Sequence, residues 1–81
     1  MDYLSHEEVA DVTLFNLRLS EGELMLYEGC IDFVLKNCDE SALYDLVGCE
    51  TREELRSFQN DLIKIIKLYV QKEFLPEKYQ E

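Results

Sequence analysis

The side chains that could do chemistry are few, and their spacing argues against catalysis. A single histidine, His6, stands in the polar stretch Ser5-His6-Glu7-Glu8. No nucleophile and orienting base accompany it at a spacing that suggests a shared site. Three cysteines, Cys30, Cys38 and Cys49, are separated by seven and ten residues. Without a CxxC pair they indicate neither a zinc site nor a thioredoxin-like redox pair. Two of them fall on expected helices, where a cysteine behaves as a small buried hydrophobe. Acids are plentiful, yet no two of them stand out as a general acid and base, which need surroundings that push two pKa values apart. Ser5, Ser20, Ser41 and Thr51 suit helix caps, and Ser57 is an ordinary helix-surface residue. Gly22, Gly29 and Gly48 are too scattered to cradle a phosphate, and no Gly-x-Ser-x-Gly elbow is present. No catalytic residue, metal ligand or cofactor is expected, and a small enzyme is the weakest of the functional readings.

Binding is the stronger reading, and charge narrows the partner. The 81 residues carry 18 acids against 8 bases, a formal net charge of −10. Residues 1–40 hold ten acids and two bases, and residues 41–81 hold eight and six, so the acidity lies in the first half. Such a field repels nucleic acid and anionic lipid and attracts basic protein surfaces. The opening Met1-Asp2-Tyr3-Leu4 is not a signal peptide, and no run approaches the ~18–20 apolar residues that span a bilayer. The expected setting is the reducing cytoplasm, with no membrane partner and nucleic acid disfavoured.

Behind these residues the elements are mainly α-helical and form a single domain, with residues 1–10 and 76–81 as flexible ends. Ser20-Glu21-Gly22-Glu23 and Thr51-Arg52-Glu53-Glu54 are capping boxes. Each opens an apolar stripe at three- and four-residue steps: Leu24, Tyr27, Ile31, Val34, Leu35 and Cys38, then Leu55, Phe58, Leu62, Ile65, Ile66 and Tyr69. The two stripes correspond at a constant offset of 31 (Ser20 with Thr51, Ile31 with Leu62). Two copies fall short of a solenoid, so they read as two long helices of one antiparallel hairpin. Between them Asp39 or Ser41 can cap a short helix that Gly48 ends. Three helices, at about 21–37, 40–47 and 52–74, are predicted.

Residues 12–19 read differently. Ser5 to Glu8 is a third potential cap, but on a helical wheel the apolar residues after it scatter. In a strand, Thr13, Phe15, Leu17 and Leu19 share one face and Asn16 and Arg18 the other. No second strand is evident, so pairing with the same strand of a second copy across a two-fold axis is expected. The stretch Phe15-Asn16-Leu17-Arg18-Leu19-Ser20-Glu21 resembles the strand-into-helix junction of ribbon-helix-helix DNA-binding proteins over about ten residues. That resemblance implies a DNA-binding regulator reading bases through Asn16 and Arg18. The long first helix, the inserted helix and the negative charge depart from the pattern.

The sharpest expectation concerns surplus apolar surface. Beyond its main stripe the first long helix carries Leu26, Cys30 and Phe33, and the last carries Ile63, Val70 and Phe74. Each helix therefore has two apolar sides, more than a three-helix chain hides by itself. These six residues are the expected interface. Glu21, Glu28 and Asp32 remain as a narrow acidic row, with Glu28 and Asp32 four residues apart and mutually repelling, and they are expected to face a basic partner. The sequence thus describes a homodimeric, acidic interaction protein that inhibits or adapts a basic protein.

Overall fold

In a computed structural model, which describes residues 1–80, the order is β1 (Asp2–Val9), β2 (Val12–Arg18), α1 (Glu21–Asn37), α2 (Leu43–Val47) and α3 (Arg52–Tyr69). Short 3₁₀ turns occupy Glu40–Ala42, Lys72–Phe74 and Glu77–Tyr79.

Helix α1 starts where its cap directs. The Ser20 hydroxyl accepts from the Glu23 amide (3.2 Å), and the Glu23 carboxylate accepts from the Ser20 amide (3.1 Å), so two otherwise unpaired donors are satisfied. The α3 box is only half reciprocal. Thr51 accepts from the Glu54 amide at 3.1 Å, but the Glu54 carboxylate reaches one residue further back, to the Glu50 amide at 3.2 Å. The short central helix forms as a 3₁₀ turn running into α2, and Gly48 closes it in the left-handed region at φ 76°. Helix α3 ends at Tyr69, five residues before the expected Phe74. Val70 is extended there, and the chain bends back so that Tyr79 can reach the seam between α1 and α3. A helix continued to residue 74 would have carried the tail about 7 Å further away.

The long helices pack antiparallel, as hydrogen bonds between them establish. Gln59 meets Glu28 and Asp32, while Arg52, earlier in α3, donates to the carbonyls of Leu35, later in α1, and of Cys38, just after it. The offset-31 correspondence is therefore a helical hairpin. Arg52 supplies donors to carbonyls that the end of α1 leaves unpaired.

The N-terminal region departs most from expectation. Residues 12–18 are a strand, but its partner is β1 of the same chain, in an antiparallel hairpin. Residues 2–9 are thus neither an unstructured end nor a helix start. The apolar–polar pattern of Asp2–Val9 is weak, and what recruits it is proximity: a two-residue turn brings it alongside β2 at small loop-closure cost. Ala10 and Asp11 occupy that turn with φ of 49° and 70°, a type I′ geometry that favours Asn and Gly. Residues 77–79 likewise form a turn, with Tyr79 buried, where a flexible end was expected; Glu81 lies outside the described residues.

The core is small. Leu35, Leu43, Cys49 and Leu55 cluster where α1, α2 and α3 meet, with Ile31 and Val34 packed against them. Ile66 is buried further along α3. Leu43→Ala and Ile66→Ala, each removing a side chain with no exposure, are expected to lower unfolding free energy by about 2–5 kcal/mol, measured by denaturant titration. Asp11→Gly is expected to tighten the hairpin, seen as slower amide exchange at Val9 and Val12, because glycine takes positive φ without steric cost.

Candidate interaction surface

All fifteen residues of β1 and β2 are exposed. Register assigns their side chains to two faces. Tyr3 lies opposite Leu17, His6 opposite Phe15 and Glu8 opposite Thr13; on the other face Val9 lies opposite Val12, Glu7 opposite Leu14, Ser5 opposite Asn16 and Asp2 opposite Arg18. A register shift between Tyr3 and Ser5 places Leu4 in a bulge, which is why Tyr3 and His6, three residues apart, share a face. There Tyr3, His6 and Phe15 form a tilted aromatic row with ring centroids 5.7 and 5.9 Å apart. The Tyr3 hydroxyl is hydrogen-bonded to His6 Nδ1. On the opposite face Asn16 donates to the Ser5 hydroxyl at 2.8 Å. A salt bridge of 2.7 Å from the Met1 amino group to Glu23 ties the ribbon to α1.

The expected interface residues divide. Leu26 and Phe33 are 61% and 64% exposed, and with the exposed Cys30 they form an open row along α1. Phe74 is exposed too, in the turn after α3, whereas Ile63 and Val70 are half-buried. Ile63 lines a cleft of about 240 Å³ with Glu28, Asp32, Gln59, Lys67 and Tyr79. Of the six expected residues Leu26, Cys30, Phe33 and Phe74 are open, and Ile63 and Val70 are partly covered.

The acidic row is rearranged. Glu21 is exposed, but Glu28 is 3% exposed and Asp32 is half-buried. Gln59 bridges the two carboxylates through its amide nitrogen, at 3.0 Å to each. The Tyr79 hydroxyl donates to Glu28, Lys78 lies 3.3 Å from it, and Lys36 pairs with Asp32 at 2.8 Å. Burial, the largest influence on Glu28, pushes its carboxyl up; the hydrogen bonds from Tyr79, Gln59 and Lys78 and the lysine charge outweigh it and hold it below its ordinary value. The Lys36 bond, with Gln59, holds Asp32 down against a smaller effect of burial. Burial, and then Glu28, push the Tyr79 phenol up. Two acids that repel in isolation share donors here. Glu28 fastens the C-terminal tail to the helical hairpin and does not stand in a solvated row facing outward.

Sequence reasoning missed Gln59 and Tyr79, which sit outside the stripes it followed, and missed Tyr3, His6 and Phe15 as a group because β1 was not foreseen. The cysteines also differ: Cys49, after α2, is the buried one, Cys38 is half-buried and Cys30 is exposed. Burial pushes the Cys49 thiol up, with a smaller push from Glu54. Among the described residues no group of three or more His, Cys, Asp or Glu side chains could hold a metal ion, and no helix is long and apolar enough to cross a membrane. The junction from Phe15 to Glu21 has the strand-then-helix form of ribbon-helix-helix proteins, but β2 is already paired within the chain and the Asn16 amide is bonded to Ser5. Compared with known proteins, the chain matches no family model, no curated protein and no solved structure.

The Glu28 contacts give a pH dependence of defined sign. With its folded-state pKa lowered from the ordinary 4.5, Glu28 contributes stability that is complete above that value and is lost as pH falls through the lowered one. Thermal melting followed by circular dichroism is expected to show a falling midpoint below about pH 4.5. Glu28→Gln is expected to flatten that acid limb and to cost about 1–3 kcal/mol at neutral pH.

Proposed function

We propose that this chain is a non-enzymatic interaction module that works as a homodimer and binds a basic protein, as its inhibitor or adaptor. The observation that carries the reading is the placement of apolar side chains. Among the described residues six apolar side chains are buried, while nineteen large ones are exposed. Seven of those nineteen lie on the β-hairpin: Tyr3, Leu4, Val9, Val12, Leu14, Phe15 and Leu17. Isolated exposed leucines need no explanation, but a two-stranded ribbon with no covered face is marginal in water. Its order is best accounted for by something that covers it.

The α1 row of Leu26, Cys30 and Phe33 supplies a second apolar strip, and the net charge of −10 favours a basic surface for the other partner. With Glu28 and Asp32 engaged inside the chain, the acids that support this are the exposed ones, Glu21 among them. DNA binding gains no support from a chain of this charge.

Two measurements test the reading. Light scattering is expected to give a dimer mass. Immobilised wild-type chain is expected to retain a basic protein from native extract at low salt, to release it as ionic strength rises beyond about 0.5 M, and to lose it when Leu26 and Phe33 are both changed to Glu. Retention that is indifferent both to salt and to these substitutions would count against the proposal.

A further inference from the structure

We infer that the free edge of β2 is a self-pairing edge, joining two copies in a closed four-stranded sheet of order β1-β2-β2′-β1′. This rests on the reading of the ribbon as an interaction surface and names its occupant as a second copy of the chain. The two edges of the hairpin are unequal. β1 is interrupted by the bulge at Leu4 and carries Asp2, Glu7 and Glu8. Bulges and charges are the devices by which edge strands are kept from pairing. β2 runs seven residues without a bulge, acid or proline, and its one charge is Arg18. One edge is blunted and the other is left open.

The ladder geometry fixes how a second copy fits. The two-residue turn makes Val9 and Val12 a hydrogen-bonded pair, and the alternation of an antiparallel ladder then directs the main-chain groups of Thr13, Phe15 and Leu17 to the outer edge. The register that overlaps the whole of β2 with its symmetry mate places Phe15 against Phe15′, Thr13 against Leu17′ and Val12 against Arg18′. The outward donors and acceptors belong to Thr13, Phe15 and Leu17, so Phe15 with Phe15′ and Thr13 with Leu17′ on either side of the axis close their hydrogen bonds together, while Val12 and Arg18′ adjoin as a non-hydrogen-bonded pair. Arg18 then adjoins the partner's turn residue Asp11, and the aromatic rows of both copies become continuous across the axis. Pairing through β1 would instead gather six carboxylates into one joint. Because the dimer uses both β2 edges, the strands left outermost are the blunted ones, and assembly stops at two copies instead of extending into a filament.

A strand-edge joint buries less than a standard interface, so a dissociation constant of about 1–100 μM is expected. Sedimentation equilibrium of the full chain tests the assignment. Thr13→Pro removes an outward-facing N–H of β2 and is expected to weaken dimerisation about 100-fold, whereas His6→Pro, which does the same on the β1 edge, is expected to change it less than about threefold. Circular dichroism on both variants checks that the helices persist. Phe15→Glu and Phe15→Lys are each expected to be monomeric and, when mixed, to recover a dimer of one copy each, because only a residue on the axis meets itself. A wild type that stays monomeric up to about 500 μM overturns the self-pairing and with it the homodimer part of the wider reading, while the capture experiment with Leu26 and Phe33 judges the basic-partner part separately. Equal losses from Thr13→Pro and His6→Pro, or no recovery on mixing, overturn the assignment of edge and register.

Discussion

The antiparallel seam between α1 and α3 is the contact on which the rest of the chain depends, and its polar part is as important as its apolar part. Leu35 and Leu55 bury against the short α2, but that cluster lies toward one end of the hairpin. Further along, the helices are held by Gln59, whose amide nitrogen reaches both Glu28 and Asp32. A buried carboxylate is tolerable only when its lone pairs are engaged, and Glu28 meets that condition with an amide, a phenol and an ammonium group. Two of those three donors come from the C-terminal tail. Closing the seam and docking the tail are therefore one structural event, and the early end of α3 follows from it.

A seam of this kind leaves little for the N-terminal residues to join. Every buried side chain among the described residues lies between Glu28 and Tyr79. The ribbon adds none, although ordering a backbone costs roughly 1–2 kcal/mol per residue. Local hydrogen bonding and the aromatic row of Tyr3, His6 and Phe15 offset part of that cost. Neither removes apolar surface from water on the scale that folding a segment requires. The imbalance locates the surplus that the sequence foretells, and puts more of it on the ribbon than on the last helix.

Legibility from sequence followed the physical range of each signal. Caps are local, and they placed the start of α1 at Glu21 and of α3 at Arg52 correctly; Gly48 was likewise read as a helix end because positive φ selects for it. The strand at 12–18 was legible because alternation is a property of neighbouring residues. Its partner was not, because Asp2–Val9 pairs through a turn made of Ala10 and Asp11, neither of which announces the geometry as Asn-Gly would. The end of α3 and the burial of Tyr79 depend on a carboxylate fifty-one residues away, and no local pattern carries that information. The surroundings of the acidic row are illegible for the same reason: Glu28 and Asp32 repel each other only until Gln59, from another helix, supplies a donor to both.

These ranges also order the parts of the chain by how firmly they are held. Stability within a fold is graded, and segments with few buried contacts open first. The cluster around Leu43 and Leu55 draws on all three helices, which places it at the firmly held end of that scale. The tail is fixed through one titratable hub, so its attachment follows the state of Glu28. The ribbon, linked to the body by the chain at Leu19 and by the Met1–Glu23 salt bridge, stands at the low end of the scale. For such a segment, becoming ordered and becoming covered are thermodynamically coupled, because whatever binds the ordered ribbon draws its equilibrium toward order. Binding through it loses some affinity to that ordering. Under the proposed self-pairing, the edge of β2 stays responsive to the concentration of a second copy.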